Sequence, residues 1–397
     1  MGLFKEVKKP VIRQASSSGA EAGSTRPRYA VKTAPCIHSC PSGTDVRGWL
    51  LALAQHEAYG RTPAQAFEFA WRKILEHNPF PAVCGRVCQH PCELSCNRKA
   101  KEGPVAVNHI EQLVGDFAIA RGLRTQLASP RKADAQRVAI VGAGPAGLSA
   151  AYHLALAGCA VTVIDAAPQP GGMMRYRIPR SMIPAAILDA EIENILQLGI
   201  ELRTECVVGR DISMEQFRRD YRAVFFADGL QKAAQLELRA GQDGEAATVG
   251  DLPANLPMIP ETAPAEAEPR VLNTVSVAIA QGRAVAETIA AFLEGRAVRQ
   301  SSSAPVIRAD HVKLDWYAAM PRSSSEAAQM TEAEAIAEAA RCMSCGMCMD
   351  CETCWMYCSK NCFSKLPKGE HYRIKLDLCN GCGKCAEACP CGYIEMN

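Results

Sequence analysis

Apolar positions are spread unevenly along the chain, and the longest nearly uncharged stretch, residues 138–164, reads as strand, helix and strand. An apolar run over 138–141 is followed by a helical segment over 145–157, and a second run rich in β-branched residues ends at Ile164. A stretch of that length could cross a membrane. Its glycines stand at the end of the first strand and divide it into three, so the pattern predicts the buried centre of an open parallel sheet instead. Elsewhere the apolar spacing predicts helices over 45–57, 63–76, 271–295 and 331–341. It also predicts a helix ending near Leu198, a strand around Leu202 and a strand over 223–227. Residues 1–30 show no period and read as a disordered tail. The polar stretches 123–136 and 297–330 read as connectors, the second interrupted by HVKLDWYAAMP, and the proline- and alanine-rich stretch 230–270 reads as loop.

The glycine cluster carries the first chemistry. In VGAGPAG, Gly142 permits a tight turn, Gly144 lets the backbone approach a pyrophosphate, and Gly147 lets helix pack on strand. Pro145 and Ala146 open the helix whose N-terminus faces the phosphates. Asp165 ends the second strand, where a carboxylate can accept ribose hydroxyls. Strand, glycines, helix, second strand and acid fall in one register, which points to a bound nucleotide cofactor over a mere packing turn.

The chain has 397 residues, 48% of them apolar, enough for two or three cored domains. A net charge of +2 and the lack of a basic run interleaved with aromatics argue against nucleic acid as partner. The opening MGLFKEVKKP has no apolar core of a leader peptide, and Glu6 spoils a myristoylation pattern, so a cytoplasmic location is expected. In a reducing compartment the twenty cysteines are not a disulfide framework. Six lie over 36–96 and twelve over 342–391. Cys159 and Cys206, between those blocks, read as small core residues.

Near the C-terminus Cys348, Cys351, Cys354 and Cys358 keep the spacing C-x2-C-x2-C-x3-C, and Cys379, Cys382, Cys385 and Cys389 repeat it, with Pro390 following. This is the signature of the two-cluster bacterial ferredoxins, in which the fourth cysteine of each run ligates the other cluster. It assigns Cys348, Cys351, Cys354 and Cys389 to one [4Fe-4S] cluster and Cys358, Cys379, Cys382 and Cys385 to the other. Zinc is the alternative, but it prefers two C-x2-C pairs across a wide gap. Ser359 stands where a proline usually follows, and Cys362 and Cys391 read as packing. In the N-terminal block Cys84, Cys88, Cys92 and Cys96 recur every fourth residue, a spacing that on one helix lines the sulfurs along a face suited to a soft metal or cluster.

The pieces CIHSCP, DVRGWL, NPFPAVCGRVC and VNHIEQL resemble the N-terminal iron-sulfur domain of the glutamate synthase small-subunit family. That resemblance implies one cluster held by Cys40, Cys88, Cys92 and Glu111. The family's second cluster uses Cys36, Cys96 and a C-x2-C pair just before Cys36, where this chain has none; EAARCMSCG far downstream is how such a pair is usually written. Either Cys342 and Cys345 return in space to complete the cluster, or Cys36 and Cys96 are free. Gly171 and Gly172 after Asp165, followed by RYRIP, resemble the family's FAD-binding half and imply FAD at the glycine turn. Gly250 and Asp251 resemble the family's ribityl contact, while Asp228 stands where relatives usually have Thr. The family's inserted NAD(P)H domain, with a second glycine turn, has no counterpart over 230–270.

The expected fold is multidomain α+β: a helical iron-sulfur domain over 31–125, a Rossmann-like FAD domain over 136–296 and a ferredoxin-like domain over 331–397. A glutamate synthase-like body with this tail resembles the DsrL-type flavoproteins of the dissimilatory sulfite reductase system. The resemblance implies an oxidoreductase that passes electrons between FAD and clusters to or from a redox partner, with a sulfite reductase-like protein as the partner that the DsrL type suggests. Its rivals are an assembly subunit that keeps its cofactors for structure and an NAD(P)H-dependent reductase of the glutamate synthase type. No acid-base pair or nucleophile for substrate chemistry stands out.

Overall fold

A computed structural model describes residues 23–227, 235–239, 246–249, 269–298, 304–324, 330–367 and 369–397. The candidate positions Asp228, Gly250 and Asp251 lie outside the described residues. The first element is a strand, β1 (Pro27–Tyr29), inside the segment expected to be a tail. A helical module follows: α1 (Pro35–Ser39), α2 (Val46–Ala54), α3 (Pro63–Leu75), α4 (Pro81–Val87), α5 (Pro91–Leu94) and α6 (Val107–Ala120). Its starts are written in the sequence. Asp45 caps α2 by accepting from the Gly48 amide, and Thr62 and Gln65 form a capping box at α3. Trp49, Leu53, Phe67, Ile74, Phe80 and Ile110 fill the core between these helices. Helices α4 and α6 touch at two glycines: a Cβ at Gly85 would lie 2.4 Å from the Gln112 Cα, and one at Gly115 would lie 2.3 Å from the Ala82 nitrogen.

The next module alternates strand and helix: β2 (Arg137–Val141), α7 (Pro145–Leu156), β3 (Ala160–Ile164), α8 (Met173–Tyr176), α9 (Ala185–Leu196), β4 (Glu201–Arg203), α10 (Met214–Asp220) and β5 (Ala223–Phe226). The chain then adds β6 (Gln235–Arg239), β7 (Ala246–Val249) and the long α11 (Pro269–Leu293). The sheet order is β4-β3-β2-β5-β6-β7. β4, β3, β2 and β5 run parallel, with Val138 opposite Val161 and Ala223. Expected as loop, the stretch after β5 instead supplies the antiparallel strands β6 and β7. Val275–Leu293 is long and apolar enough to cross a membrane, but most of it is buried in the protein. It lies along α7, where a Cβ at Gly282 would sit 2.1 Å from the Ala146 carbonyl oxygen and Ser149 Oγ donates to the Ile279 carbonyl at 2.8 Å.

This sheet module and the helical module share one continuous core. Their junction is also polar: the α9 residue Glu191 accepts from the backbone amides of Ala82 and Val83 at 2.6 and 3.0 Å, capping α4 from the neighbouring module.

Much of the stretch expected as a linker is packed as well. Ile307, Val312 and Tyr317 are buried with Met343 and Met349. Then come α12 (Glu332–Ala339), α13 (Thr353–Tyr357), β8 (Phe363–Lys365), β9 (Tyr372–Ile374), α14 (Lys384–Ala388) and β10 (Ile394–Met396). Thr331 and Glu334 form the capping box of α12. β8 and β9 make a hairpin, whereas β10 pairs antiparallel with β1, Arg28 opposite Glu395. The C-terminal module is thus closed by a strand from the other end of the chain. Glu338 and Arg341, both 1% exposed, pair at 2.6 Å and tie α12 to the helical module: Glu338 accepts from the Ala106 amide and Arg341 donates to the Gly103 and Pro104 carbonyls.

Candidate functional site

The glycine turn has the expected geometry. Gly142 leaves β2 with φ +109°, a conformation few residues other than glycine adopt. A Cβ at Gly147 would lie 1.9 Å from the Gly142 carbonyl oxygen, so that glycine is required by packing of helix on strand. Gly144 differs. A Cβ there would meet nothing nearer than the Gly172 Cα at 4.0 Å, so no protein atom demands its glycine and the space beside it is open for a ligand. Pro145 is the first residue of α7, Ala146 the second, and Gly144 its N-cap with no side-chain cap. Free amides therefore face outward at the turn, which suits a pyrophosphate. Asp165 accepts from the amides of Ala143 at 2.5 Å and Ala167 at 2.7 Å, fixing its carboxylate beside the turn. Gly171 donates to the Ala143 carbonyl at 2.8 Å, and Gly172, at φ +49°, brings its loop against Gly144, where a Cβ would lie 2.7 Å from the Gly144 Cα. The residues present fit a dinucleotide.

The cysteine run of the helical module does not form one sulfur-lined helix. α4 ends at Val87 with Cys88 as its extended C-cap, His90 takes the left-handed φ of +48°, and α5 and a 3-10 turn over Asn97–Ala100 follow separately. The break sends the sulfurs to different places. Cys88 and Cys92 join Cys40 and Glu111. Burial pushes the Cys88 thiol up to about 12, with Glu111 and Cys40 close enough to push it further, and burial raises Cys92 well above its ordinary range with Cys40, Glu111 and Cys88 as neighbours. Burial lifts the Glu111 carboxyl to about 7, against the Asn78 amide that donates to it at 3.0 Å. Cys84, fully enclosed, donates to the Asn78 Oδ1 at 3.6 Å behind this group.

Cys96 goes elsewhere. Burial raises the Cys36 thiol well above its usual range, and the next contributors are Cys342, Cys345 and Cys96. Cys342 is pushed up to about 12 and Cys345 to about 11 by burial, with Cys96 near both. The thiols of Cys36, Cys96, Cys342 and Cys345 are thus neighbours, although they come from distant parts of the chain. Asn97 Nδ2 donates to the Cys345 sulfur at 3.6 Å and Arg47 Nη1 to the Cys345 carbonyl at 2.6 Å.

In the C-terminal module Cys348, Cys351, Cys354 and Cys389 line a small cavity walled by Tyr29, Tyr372 and Tyr393. Burial raises Cys348 to about 12, and Cys351 and Cys389 lie near it. Peptide amides point at these sulfurs, Asp350 to Cys348 at 3.4 Å and Tyr393 to Cys389 at 3.3 Å. Cys385, raised to about 11 by burial, has Cys358 and Cys379 beside it; the Gly381 amide donates to Cys379 at 3.4 Å, and Cys382 is exposed. Cys362 and Cys391 are buried against the two groups, Cys391 with its sulfur 3.8 Å from that of Cys389. Cys159 is buried in the sheet module's core, and Cys206 packs at its edge.

A zinc ion with Zn–S bonds of about 2.3 Å holds its thiolates roughly 3.8 Å apart. Among the described residues the one group of three or more possible ligand atoms all within 4.8 Å is Cys348, Asp350 and His371, so nowhere do three thiols meet at single-ion spacing. The His371–Asp350 pair, at 2.9 Å beside Cys348, carried no signal in the sequence, because its members lie in separate loops without a motif.

Comparison with known proteins agrees with this layout. Residues 4–123 match the family model "Dihydroprymidine dehydrogenase domain II, 4Fe-4S cluster", residues 140–189 an NAD(P)-binding Rossmann-like domain, and residues 372–394 a 4Fe-4S binding domain. The NADP(+)-dependent formate dehydrogenase subunit beta of Moorella thermoacetica is 35% identical over 58% of this chain and 34% of its own length. The NAD-dependent dihydropyrimidine dehydrogenase subunit PreT homolog of Salmonella typhi is 34% identical over 52% of this chain and 48% of its own. The glutamate synthase [NADPH] small chain of Bacillus subtilis is 32% identical over 52% of this chain and 42% of its own. The chain thus spans half or less of the length of these curated relatives. With matches to 4Fe-4S domain models on either side of a match to a Rossmann-like domain model, the chain is similar to subunits of this kind over part of their length.

Proposed function

We propose that this protein is an electron-transfer oxidoreductase that holds FAD at the turn of Gly142, Gly144 and Gly147 and iron-sulfur clusters at four cysteine groups, and that it exchanges electrons with a separate redox protein. The assigned ligands are Cys40, Cys88, Cys92 and Glu111; Cys36, Cys96, Cys342 and Cys345; Cys348, Cys351, Cys354 and Cys389; and Cys358, Cys379, Cys382 and Cys385. The observation that carries the reading is the order of these groups in space. Tyr29 neighbours Cys354 and Cys348 of one ferredoxin group and Cys385 of the other. Tyr317 neighbours Cys351 of the ferredoxin module and both Cys345 and Cys342. α1 carries Cys36 and ends at Cys40, linking the two N-terminal groups, and the Ser276 hydroxyl of α11 hydrogen-bonds the Cys88 thiol. α11 lies on α7, the helix that starts at the glycine turn. These neighbours support a relay that runs from the exposed Cys382 through the cysteine groups towards the nucleotide turn.

A bound flavin would supply exchange between two-electron and one-electron carriers, and clusters would supply one-electron steps. The residues do the holding: free amides at the start of α7 for the pyrophosphate, Asp165 for the ribose and the Gly171–Gly172 loop along the cofactor. The relatives' names mention NADP(+), NAD and NADPH. In this chain β6 and β7 occupy the place where a second nucleotide domain would be inserted, so nicotinamide is proposed to act through a partner rather than directly. A sulfite reductase-like partner is the specific case that the DsrL-type resemblance suggests.

Anaerobic protein mixed in a stopped-flow instrument with a reduced low-potential ferredoxin, and separately with NADPH, tests the proposal. Bleaching of the flavin band by ferredoxin within seconds, with none by NADPH alone, is expected. An inert flavin would reduce the protein to an assembly subunit; fast bleaching by NADPH would make it a nicotinamide-dependent reductase.

A further inference from the structure

We propose that Arg47 is the counter-cation of a negatively charged iron-sulfur cluster held by Cys36, Cys96, Cys342 and Cys345, and that its guanidinium sets the potential of that cluster. The inference rests on the cluster assignment above. Arg47 stands on α2 with 6% of its surface exposed. Its Nη1 donates to the carbonyls of Lys32 at 3.2 Å and Cys345 at 2.6 Å, while the buried Nε has no hydrogen-bond partner. Carbonyl dipoles solvate part of a charge, but a buried full cation is costly unless an anion faces it. The other two deeply buried arginines satisfy this rule: Arg341 pairs with Glu338, and Arg98 with Glu102. Among the described residues no carboxylate pairs with Arg47.

What faces it is sulfur. Cys36, Cys342 and Cys345 all lie close enough to feel the Arg47 charge. Neutral thiols would leave that charge uncompensated, whereas thiolates around an iron-sulfide core carry a net negative charge that grows by one unit when the core takes an electron. A fixed cation stabilises the reduced form more than the oxidised one, so it raises the potential. Arg47 also joins the backbone at Lys32 to the backbone at Cys345, so the same side chain positions the distant cysteine pair against the helical module.

The test is an anaerobic dithionite titration followed by electron paramagnetic resonance, on Arg47→Met, Arg47→Lys and the double variant Cys342→Ala/Cys345→Ala. The double variant identifies the signal belonging to this group. In Arg47→Met that signal is expected to need a lower potential, with roughly tenfold less reduced cluster at a fixed potential, about 59 mV for one electron, while the others stay in place. Arg47→Lys, which keeps the charge, is expected to titrate near wild type. Should Arg47→Met lose this cluster's iron, Arg47→Gln takes its place: a shifted or lost signal beside a normal Arg47→Lys supports the counter-cation, and equal behaviour of Gln and Lys overturns it. An unshifted signal at full iron content in Arg47→Met also overturns it. If the double variant loses no iron, the cluster assignment itself falls, and Arg47 has no anion to balance.

Discussion

Tyr29 stacks on Tyr393 with ring centroids 5.0 Å apart and planes 18° from parallel, and its hydroxyl donates to the Tyr372 carbonyl. The two residues sit near opposite ends of the chain, yet both wall the cavity of Cys348, Cys351, Cys354 and Cys389. The ferredoxin-like module is therefore completed by a strand it does not encode locally. Replacing Tyr29 by Ala removes a large packed side chain and is expected to cost about 3 kcal/mol. Urea unfolding should show the loss, and iron should leave on exposure to chelator several-fold faster than from wild type, while Tyr29→Phe stays close to wild type.

Two glycines of the nucleotide turn should respond differently to the same added methyl. Gly147→Ala places a Cβ 1.9 Å from a carbonyl oxygen and is expected to destabilise the sheet module. Gly144→Ala meets only the Gly172 Cα, at an unstrained 4.0 Å, and has an ordinary φ of −81°, so the chain should melt as wild type does. Its flavin content after dialysis should nevertheless fall at least tenfold, because the methyl would fill ligand space. Equal flavin content in Gly144→Ala and wild type would contradict the placement of the cofactor.

Glu338 is the acceptor at the centre of a buried hub, taking hydrogen bonds from the amides of Ala106 at 2.8 Å and Ser323 at 2.8 Å and pairing with Arg341. Removing one partner of a buried ion pair strands the other charge, at a cost of about 3–5 kcal/mol. Glu338→Ala should unfold at a correspondingly lower urea concentration; a change below 1 kcal/mol would show that the hub is relaxed by water.

Burial, with Arg283 and His77 nearby, holds the His153 imidazole down to about 3. The folded state then binds its proton less readily than the unfolded chain, whose histidine titrates near 6.5. Stability from this site is complete above about 6.5 and is lost as the pH falls below that value. Between pH 7.5 and 5.5 the wild type should lose about 1.4 kcal/mol that His153→Gln does not lose. Chemical unfolding of both proteins at the two pH values measures the difference.

The parts of the molecule legible in the sequence were those whose chemistry fixes a local spacing. Each C-x2-C-x2-C-x3-C run and the Gly142–Gly147 turn keep their residues within a short stretch of chain, so their spacing is visible without knowledge of the fold. What escaped was set by partners far along the chain. The three residues of β1 are too few to show alternation, and their pairing partner is β10. The regular spacing of Cys84 to Cys96 suggested one helix, whereas the left-handed His90 breaks it and parts Cys96 from Cys88 and Cys92. Arg47 looked like any charged residue on a helix, since the thiols that face it come from α1, from the turn before Asn97 and from the segment after α12.

Iron and acid-labile sulfide per chain, counted on anaerobically purified protein together with flavin released on boiling, decide whether the chain holds these cofactors. Four clusters and one flavin predict about sixteen iron atoms and one flavin per chain, with about twelve iron atoms in Cys342→Ala/Cys345→Ala. Colourless protein with neither sulfide nor flavin, or an iron content that the double variant leaves unchanged, would contradict it.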